Sequence, residues 1–329
     1  MTPEQLERVR PRLARFAATM LGELNGYGQP AKGELYTRGL LTNGRRKSIQ
    51  PMAERLGVDH QRLQRFITES SWDYRSVRAN LARWAIGAID PDAYVLDDTG
   101  FPKDGVASPC VARQYSGTLG RRANCQLGVS VQMACDDASF AADWRLFCPE
   151  SWDDTTITDP RWAQVVRERR RRAHLPEDVR HREKWRLALD MLDEMTGPWG
   201  LPKRPVVADS GYGDAAEFRL GLDQRGLSYV VAVDPTATAY PGEAVPVVRA
   251  GTGRGRPPGP AYPTAPLTFK DLALGAGRRA LHQVTWRHGS KRSKNNPTGA
   301  MRSRFLAIRI RPANQHIPGA LMAACPRCG

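Results

Sequence analysis

Several things are missing from this 329-residue chain. No apolar run approaches the roughly 18 residues a membrane-spanning helix needs. The opening stretch, MTPEQLERVRPRLARF, is too charged for a secretory leader. Lysine is scarce, with eight among 49 basic residues, so 41 are arginine. Six cysteines (110, 125, 135, 148, 325 and 328) show no framework spacing, and a reduced cytoplasmic protein is the expectation. Cys325-Pro-Arg-Cys328 is a lone CxxC with no second pair, which argues against structural zinc. No GxSxG occurs, disfavouring a serine hydrolase, and no GxxxxGK[ST], so nucleotide hydrolysis has no support. Carboxylates almost vanish late in the chain: residues 251–329 carry fourteen bases and one acid, Asp271.

What is present is positive charge, net +15 with a pI near 10.0, on an otherwise ordinary composition that is 41% hydrophobic. Residues 1–90 hold fifteen bases against nine acids. Arginine's planar fork suits phosphate oxygens and guanine edges, so a polyanion, above all nucleic acid, is the first candidate partner. The competing reading is a GC-rich genome that inflates arginine.

Residues 1–90 read as an all-α unit. An amphipathic helix covers 4–26, and residues 27–46, with Gly26-Tyr27-Gly28 and Asn43-Gly44 at their edges, contain at least one turn. In 47–70, Ser48 can cap a helix through Met52, Ala53 and Leu56. Gly57 ends it, and Asp59 can cap a second helix carrying Leu63, Phe66 and Ile67. These are helix-turn-helix spacings, in which the second helix enters the major groove. Gln61, Arg62 and Arg65 would face DNA, with Arg45, Arg46 and Lys47 leading in. A plain helical hairpin with a solvated face fits the same pattern. A further helix, Trp72 to Ile89, would bury Trp72, Val77, Leu81, Trp84 and Ile86.

Residues 91–235 change character. Tyr94-Val95-Leu96 is a short apolar strand running into Asp97-Asp98-Thr99-Gly100, and Pro205-Val206-Val207-Ala208 is another ending on Asp209. Strands at 126–134 and 142–147, helices at 159–174, 176–196 and 213–225, and a strand at 228–233 complete a β-β-β-α-β-α-β order. Sites in α/β sheets form outside the carboxyl ends of strands. Two carboxylates held there repel unless a cation joins them, and hard oxygen donors favour Mg²⁺ or Mn²⁺. Each aspartate taken singly also fits a plain turn or cap. Between the first two strands, residues 105–124 read as a long polar loop whose Arg113, Gln114, Tyr115, Arg121 and Arg122 could meet a phosphate backbone. The run Arg167–Arg172 fits a solvated helix face, and Gly253-Arg254-Gly255-Arg256-Pro257-Pro258 resembles a minor-groove AT-hook core.

RRKSIQPMAERLGVDHQRLQRFITESSWD (45–73), VLDDTGFPKDG (95–105), VARQYSGTLGRRANCQLGV (111–129) and VVADSGYGD (206–214) together resemble insertion-sequence transposases of the DDE endonuclease superfamily. WRLFCPESW (144–152) and SRFLAIRIRP (303–312) share the likeness. The resemblance implies an α/β, RNase H-like mixed sheet with flanking helices, after a helical DNA-binding domain (1–90) and before a β-rich insertion (236–313). It implies Mg²⁺- or Mn²⁺-dependent cleavage and strand transfer at double-stranded insertion-sequence ends, by a homodimer when full length, in the bacterial nucleoid. By motif, the first catalytic acid falls on Asp97 or Asp98, with Asp97 preferred, and the second on Asp209; Asp97 and Asp209 would hold the metal. The family's third acid, a glutamate on a helix past the insertion, has no counterpart. The expectation is therefore a chain truncated or frame-shifted near Arg311–His316, with 314–329 an unstructured tail. Such a chain would be catalytically deficient alone, or a DNA-binding repressor of full-length copies.

Overall fold

The structure, a computed structural model, describes residues 3–24, 26–69, 73–247, 261–289 and 296–313. Two compact units emerge, residues 1–212 with 217–231 and residues 213–216 with 232–329.

The first unit begins with five helices: α1 (Pro3–Leu21), α2 (Gln29–Leu41), α3 (Ile49–Leu56), α4 (His60–Thr68) and α5 (Tyr74–Ile89). Ala17, Met20, Leu21 and Leu24 at the end of α1 pack on Phe66 of α4 and Val77 of α5. A second cluster joins α2, α3 and α4 through Met52, Ala53 and Leu63 with Leu35 and Tyr36. Helix α2 fills most of a stretch that reads as turn-rich. Its Gly33 and Gly39 weaken intrinsic helicity, yet both are contact points. A Cβ at Gly33 would lie 2.4 Å from Leu21 Cδ1, and one at Gly39 would lie 3.3 Å from Met52. Helix α5 buries Val77, Ala79, Ala82 and Ala85, while Trp84 is half exposed, because small side chains let this helix sit close. Trp72 lies outside the described residues.

The sheet follows: β1 (Ala93–Pro102), β2 (Ala112–Ser116), β3 (Arg121–Ala134), β4 (Ser139–Leu146), β5 (Val206–Ala208) and β6 (Tyr229–Val231). Helices α6 (Pro160–Arg172), α7 (Lys184–Thr196), α8 (Ser210–Gly213) and α9 (Ala216–Gln224) lie between the later strands. The spatial order is β2-β3-β1-β5-β6, with β4 also on β3. β3 is antiparallel to β1 along all ten residues of β1. On its other edge its first five residues pair with β2 and its last seven with β4. β5 and β6 run parallel to β1. Four strands joined antiparallel, β1 to β4, followed by two parallel ones and flanked by helices, form an RNase H-like mixed sheet. The stretch 105–124 is thus half hairpin rather than loop, and the 176–196 helix begins only at Lys184.

A buried ionic cluster ties α5 and α7 to this sheet. Asp143 of β4, fully buried, receives Arg78 of α5 and Arg145, whose Nη1 lies 2.8 Å from its Oδ1. Arg145 also pairs with Glu194 of α7.

The second unit contains a three-stranded sheet, β11 (Ile310–Pro312), β7 (Thr238–Pro241) and β8 (Leu267–Thr268), a short helix α10 (Phe269–Gly275), and a hairpin of β9 (His282–His288) and β10 (Ala300–Phe305). Its buried apolar residues among those described are Ala239 and Ala300. The Gly253–Pro258 motif and residues 314–329 lie outside the described residues.

Candidate active site and nucleic-acid interface

The apolar triplets Tyr94-Val95-Leu96 and Val206-Val207-Ala208 pair residue for residue in parallel register. The residue after each triplet is an aspartate, so Asp97 and Asp209 stand side by side where the β1–β5 ladder stops. β5 ends there, while β1 does not stop at Asp97 as the sequence suggested but runs on to Pro102, still paired with β3. Asp97 and Asp209 are both exposed. One oxygen of each is occupied by local backbone: Asp97 Oδ1 accepts from the Asp98 amide at 2.7 Å, and Asp209 Oδ1 from the Gly211 amide at 3.0 Å. Among the described residues, no side-chain donor reaches either carboxylate.

Asp98 stands differently. It is partly buried, one oxygen ion-paired to Lys184 at the start of α7 and the other bonded to the Tyr212 hydroxyl. Lys184 in turn sits 5.5 Å from the Phe147 ring centroid. Tyr212 is buried against Phe218. Burial pushes its hydroxyl far up, and the negative charges of Asp98, Asp209 and Asp97 add to that. Tyr212 therefore stays a proton donor and holds Asp98 in place. Lys184 and Tyr212 carry no signal in the sequence alone, since nothing in their spacing links them to Asp98.

Two neighbouring carboxylates with free oxygens suit a hard cation whose remaining positions are filled by water and phosphate, the usual way Mg²⁺ binds. No group of three or more His, Cys, Asp or Glu side chains able to hold a metal exists among the described residues. The exposed carboxylates of Asp97 and Asp209 are the pair that fits such a cation.

The hairpin β2–β3 overhangs the sheet beyond the Pro102–Cys125 pair that ends β1. Tyr115 pairs with Arg122 and Arg113 with Asn124, so Arg113, Tyr115 and Arg122 share one exposed face. Arg121 is exposed opposite buried Ser116. Gln114 turns inward and donates to the Cys125 carbonyl at 3.1 Å. The hairpin folds against β1, where a Cβ on Gly100 would lie 2.5 Å from Ser116 Oγ. Gly100, the last residue of the DDTG motif, is what permits this approach.

In the helical part, Gly57 takes φ 65° and ends α3, and the Asp59 carboxylate caps α4 by accepting from the Gln61 amide at 3.0 Å. Ser48 occupies the cap position of α3 without a side-chain bond. Gln61, Arg62 and Arg65 are exposed on α4, Arg65 lying 3.9 Å from Glu69. Arg45, Arg46 and Lys47 form the exposed α2–α3 connection, pinned by Arg55 on the Arg46 carbonyl and Lys47 on that of Thr42. Arg170, by contrast, is buried among carbonyls, so the 167–172 run is only partly a solvated face.

Residues 20–293 match the model of the DDE superfamily endonucleases. The chain belongs to that family. Endonucleases of this superfamily work with divalent metal ions. A curated relative, "Probable transposase for insertion sequence element IS701" from Microchaete diplosiphon, is 28% identical over 199 residues. The match covers 59% of this chain and 46% of the relative, so the chain spans about half the length of the relative it matches. No helix among the described residues is long and apolar enough to cross a membrane.

Proposed function

We propose that this chain derives from an insertion-sequence transposase, with its chemistry directed at phosphodiester bonds of DNA ends. The single observation that carries this is the pair Asp97 and Asp209, adjacent by parallel register where the β1–β5 ladder stops. Asp97 serves as the first acid and Asp98 as its positioning neighbour, because Lys184 and Tyr212 occupy both Asp98 oxygens. Mg²⁺ or Mn²⁺, when bound, would activate a water or 3′-hydroxyl and stabilise the leaving oxygen. The chain's own residues hold the two carboxylates together, keep Asp98 turned away and present arginines to the backbone. Residues 1–90 act as the DNA-end-binding domain, with α3–α4 as its helix-turn-helix. Residues 91–235 act as the catalytic core and 236–313 as an insertion. A homodimer on two DNA ends, in the nucleoid, completes the reading.

After Asp271 the sequence has no carboxylate side chain. No glutamate follows Glu243 in these residues, so the reading assigns no third acid here, and this polypeptide alone is expected not to cut. The assay is strand cleavage of transposon-end DNA with Mg²⁺ or Mn²⁺. Robust cleavage that vanishes in Asp97→Ala and Asp209→Ala refutes the deficiency; loss in Asp98→Ala but not Asp97→Ala reassigns the first acid.

A second reading, a DNA-binding repressor without catalysis, draws on the exposed polar face of α4. It predicts sequence-specific binding that survives removal of both aspartates. Binding that also disappears in the double variant, with the fold intact, rejects it.

A further inference from the structure

Two buried thiols play no part in the site above. Cys110 lies in the connection between β1 and β2, and Cys148 two residues past β4. Both are essentially inaccessible and share one cluster with Val111, Trp152 and Leu175. Within this cluster each thiol shifts the proton affinity of the other, and Cys148 Sγ lies 3.8 Å from the Pro149 carbonyl oxygen. Arg170 places Nη1 3.9 Å from Cys148 Sγ while donating to the carbonyls of Trp152, Pro176 and Val179. Its neighbour Arg169 stacks 3.7 Å over the Trp152 ring and holds the carbonyls of Val106 and Val111. A guanidinium beside a thiol favours its thiolate, the form that reacts. Cys110 pulls the Cys148 thiol down, and Arg170 acts in the same direction against burial; Cys148 and burial in turn push Cys110 up. The backbone at Cys110 adopts φ 60°, a left-handed conformation that non-glycine residues seldom take. Surrounding contacts thus hold Cys110 where it meets Cys148.

We propose that Cys110 and Cys148 are an oxidation site, closing to a disulfide on exposure to a peroxide. The Cys148 thiolate attacks one peroxide oxygen; the O–O bond breaks and the departing hydroxide takes up a proton, leaving a sulfenic acid. The Cys110 sulfur attacks the Cys148 sulfur. The S–S bond forms, the S–O bond breaks, and the hydroxyl leaves as water with the Cys110 proton. One peroxide is reduced to two waters, and the two sulfurs together lose two electrons. The product staples the β1–β2 connection to the end of β4. Because β2 starts at Ala112, it fixes the root of the exposed hairpin that carries Arg113, Tyr115 and Arg122.

The test uses the full chain with Cys325→Ser and Cys328→Ser, so that the terminal CxxC cannot compete. The protein is treated with hydrogen peroxide and mapped by non-reducing peptide mass spectrometry. The expected product is one cross-linked peptide pair joining Cys110 to Cys148, reversed by dithiothreitol, with Cys125 and Cys135 still thiols. In Cys110→Ser the cross-link disappears and Cys148 is trapped as a sulfenic acid by dimedone. Thiols unchanged at both positions, single-site sulfinic acids without a cross-link, or a bridge from either to Cys125 would each overturn the proposal. The map of the Cys110-containing protein decides the matter even where the Ser variant fails to fold.

Discussion

Replacing Asp153 by asparagine tests how the segment after β4 is held. Asp153 is 2% exposed. Its Oδ1 accepts from the Thr155 amide at 3.0 Å and hydroxyl at 2.7 Å, and its Oδ2 from the His181 amide at 2.8 Å. Arg180 Nη1 stands 3.3 Å away. Burial alone would push this carboxyl up, but the Thr155, His181 and Arg180 hydrogen bonds outweigh it and hold it at about 2. An unfolded aspartate titrates near ~3.9, so the ionised form contributes about 2.6 kcal/mol at neutral pH. Arg180 keeps a third of its side chain in solvent, which screens its share. The expected loss in Asp153→Asn at pH 7 is therefore ~1–2.5 kcal/mol. Because the folded value is depressed, the contribution is complete above the unfolded value and fades as pH falls from about 4 toward about 2. Urea unfolding of both proteins at pH 7, 5, 4 and 3 reads this directly. The gap between them should narrow steadily below pH 5. An equal gap at pH 7 and pH 3 would show that asparagine costs packing rather than charge, and the argument from ionisation would fall.

Gly100→Ala should destabilise by ~1–3 kcal/mol through the contact with Ser116, and Ser116→Gly should restore much of it, both read by urea midpoints. Asp59→Ala should cost about 1 kcal/mol by uncapping α4, seen as a lower melting temperature for the helical region. Arg113→Ala with Arg122→Ala should leave melting unchanged. If both arginines neutralise phosphates, the log–log salt dependence of DNA binding should flatten by ~1.8; an unchanged slope would remove the hairpin from the interface.

The neighbouring places of Asp97 and Asp209 were legible because each follows an apolar triplet with nowhere to go but a buried parallel ladder. The turn between α3 and α4 was equally open, since Gly57 and Asp59 carry its chemistry in their own conformations. The hairpin arm ARQYS was not, because its alternation is broken by Gln114 and its partner face is polar. Helix α2 was hidden by glycines whose purpose is contact with Leu21, Phe66 and Met52. In α5 the buried stripe is alanine, so hydrophobicity pointed to Trp84 instead. Lys184 and Tyr212 were out of reach for a different reason: their meeting with Asp98 is a tertiary event spanning 86 and 114 residues.

The three-residue ladder between β1 and β5 also has a consequence for when the site exists. β1 can find β3 soon after both are synthesised, since they pair antiparallel with only the short β2 segment between them in the chain. Its other edge must wait for a strand more than a hundred residues later, and such distant parallel pairings are slow to close. Until β5 docks, Asp97 is a lone surface carboxylate with no partner and no hold on a cation. The nascent chain therefore folds helices α1–α5 well before it brings Asp97 and Asp209 together; under the function proposed above, the end-binding domain is in place before the pair of acids.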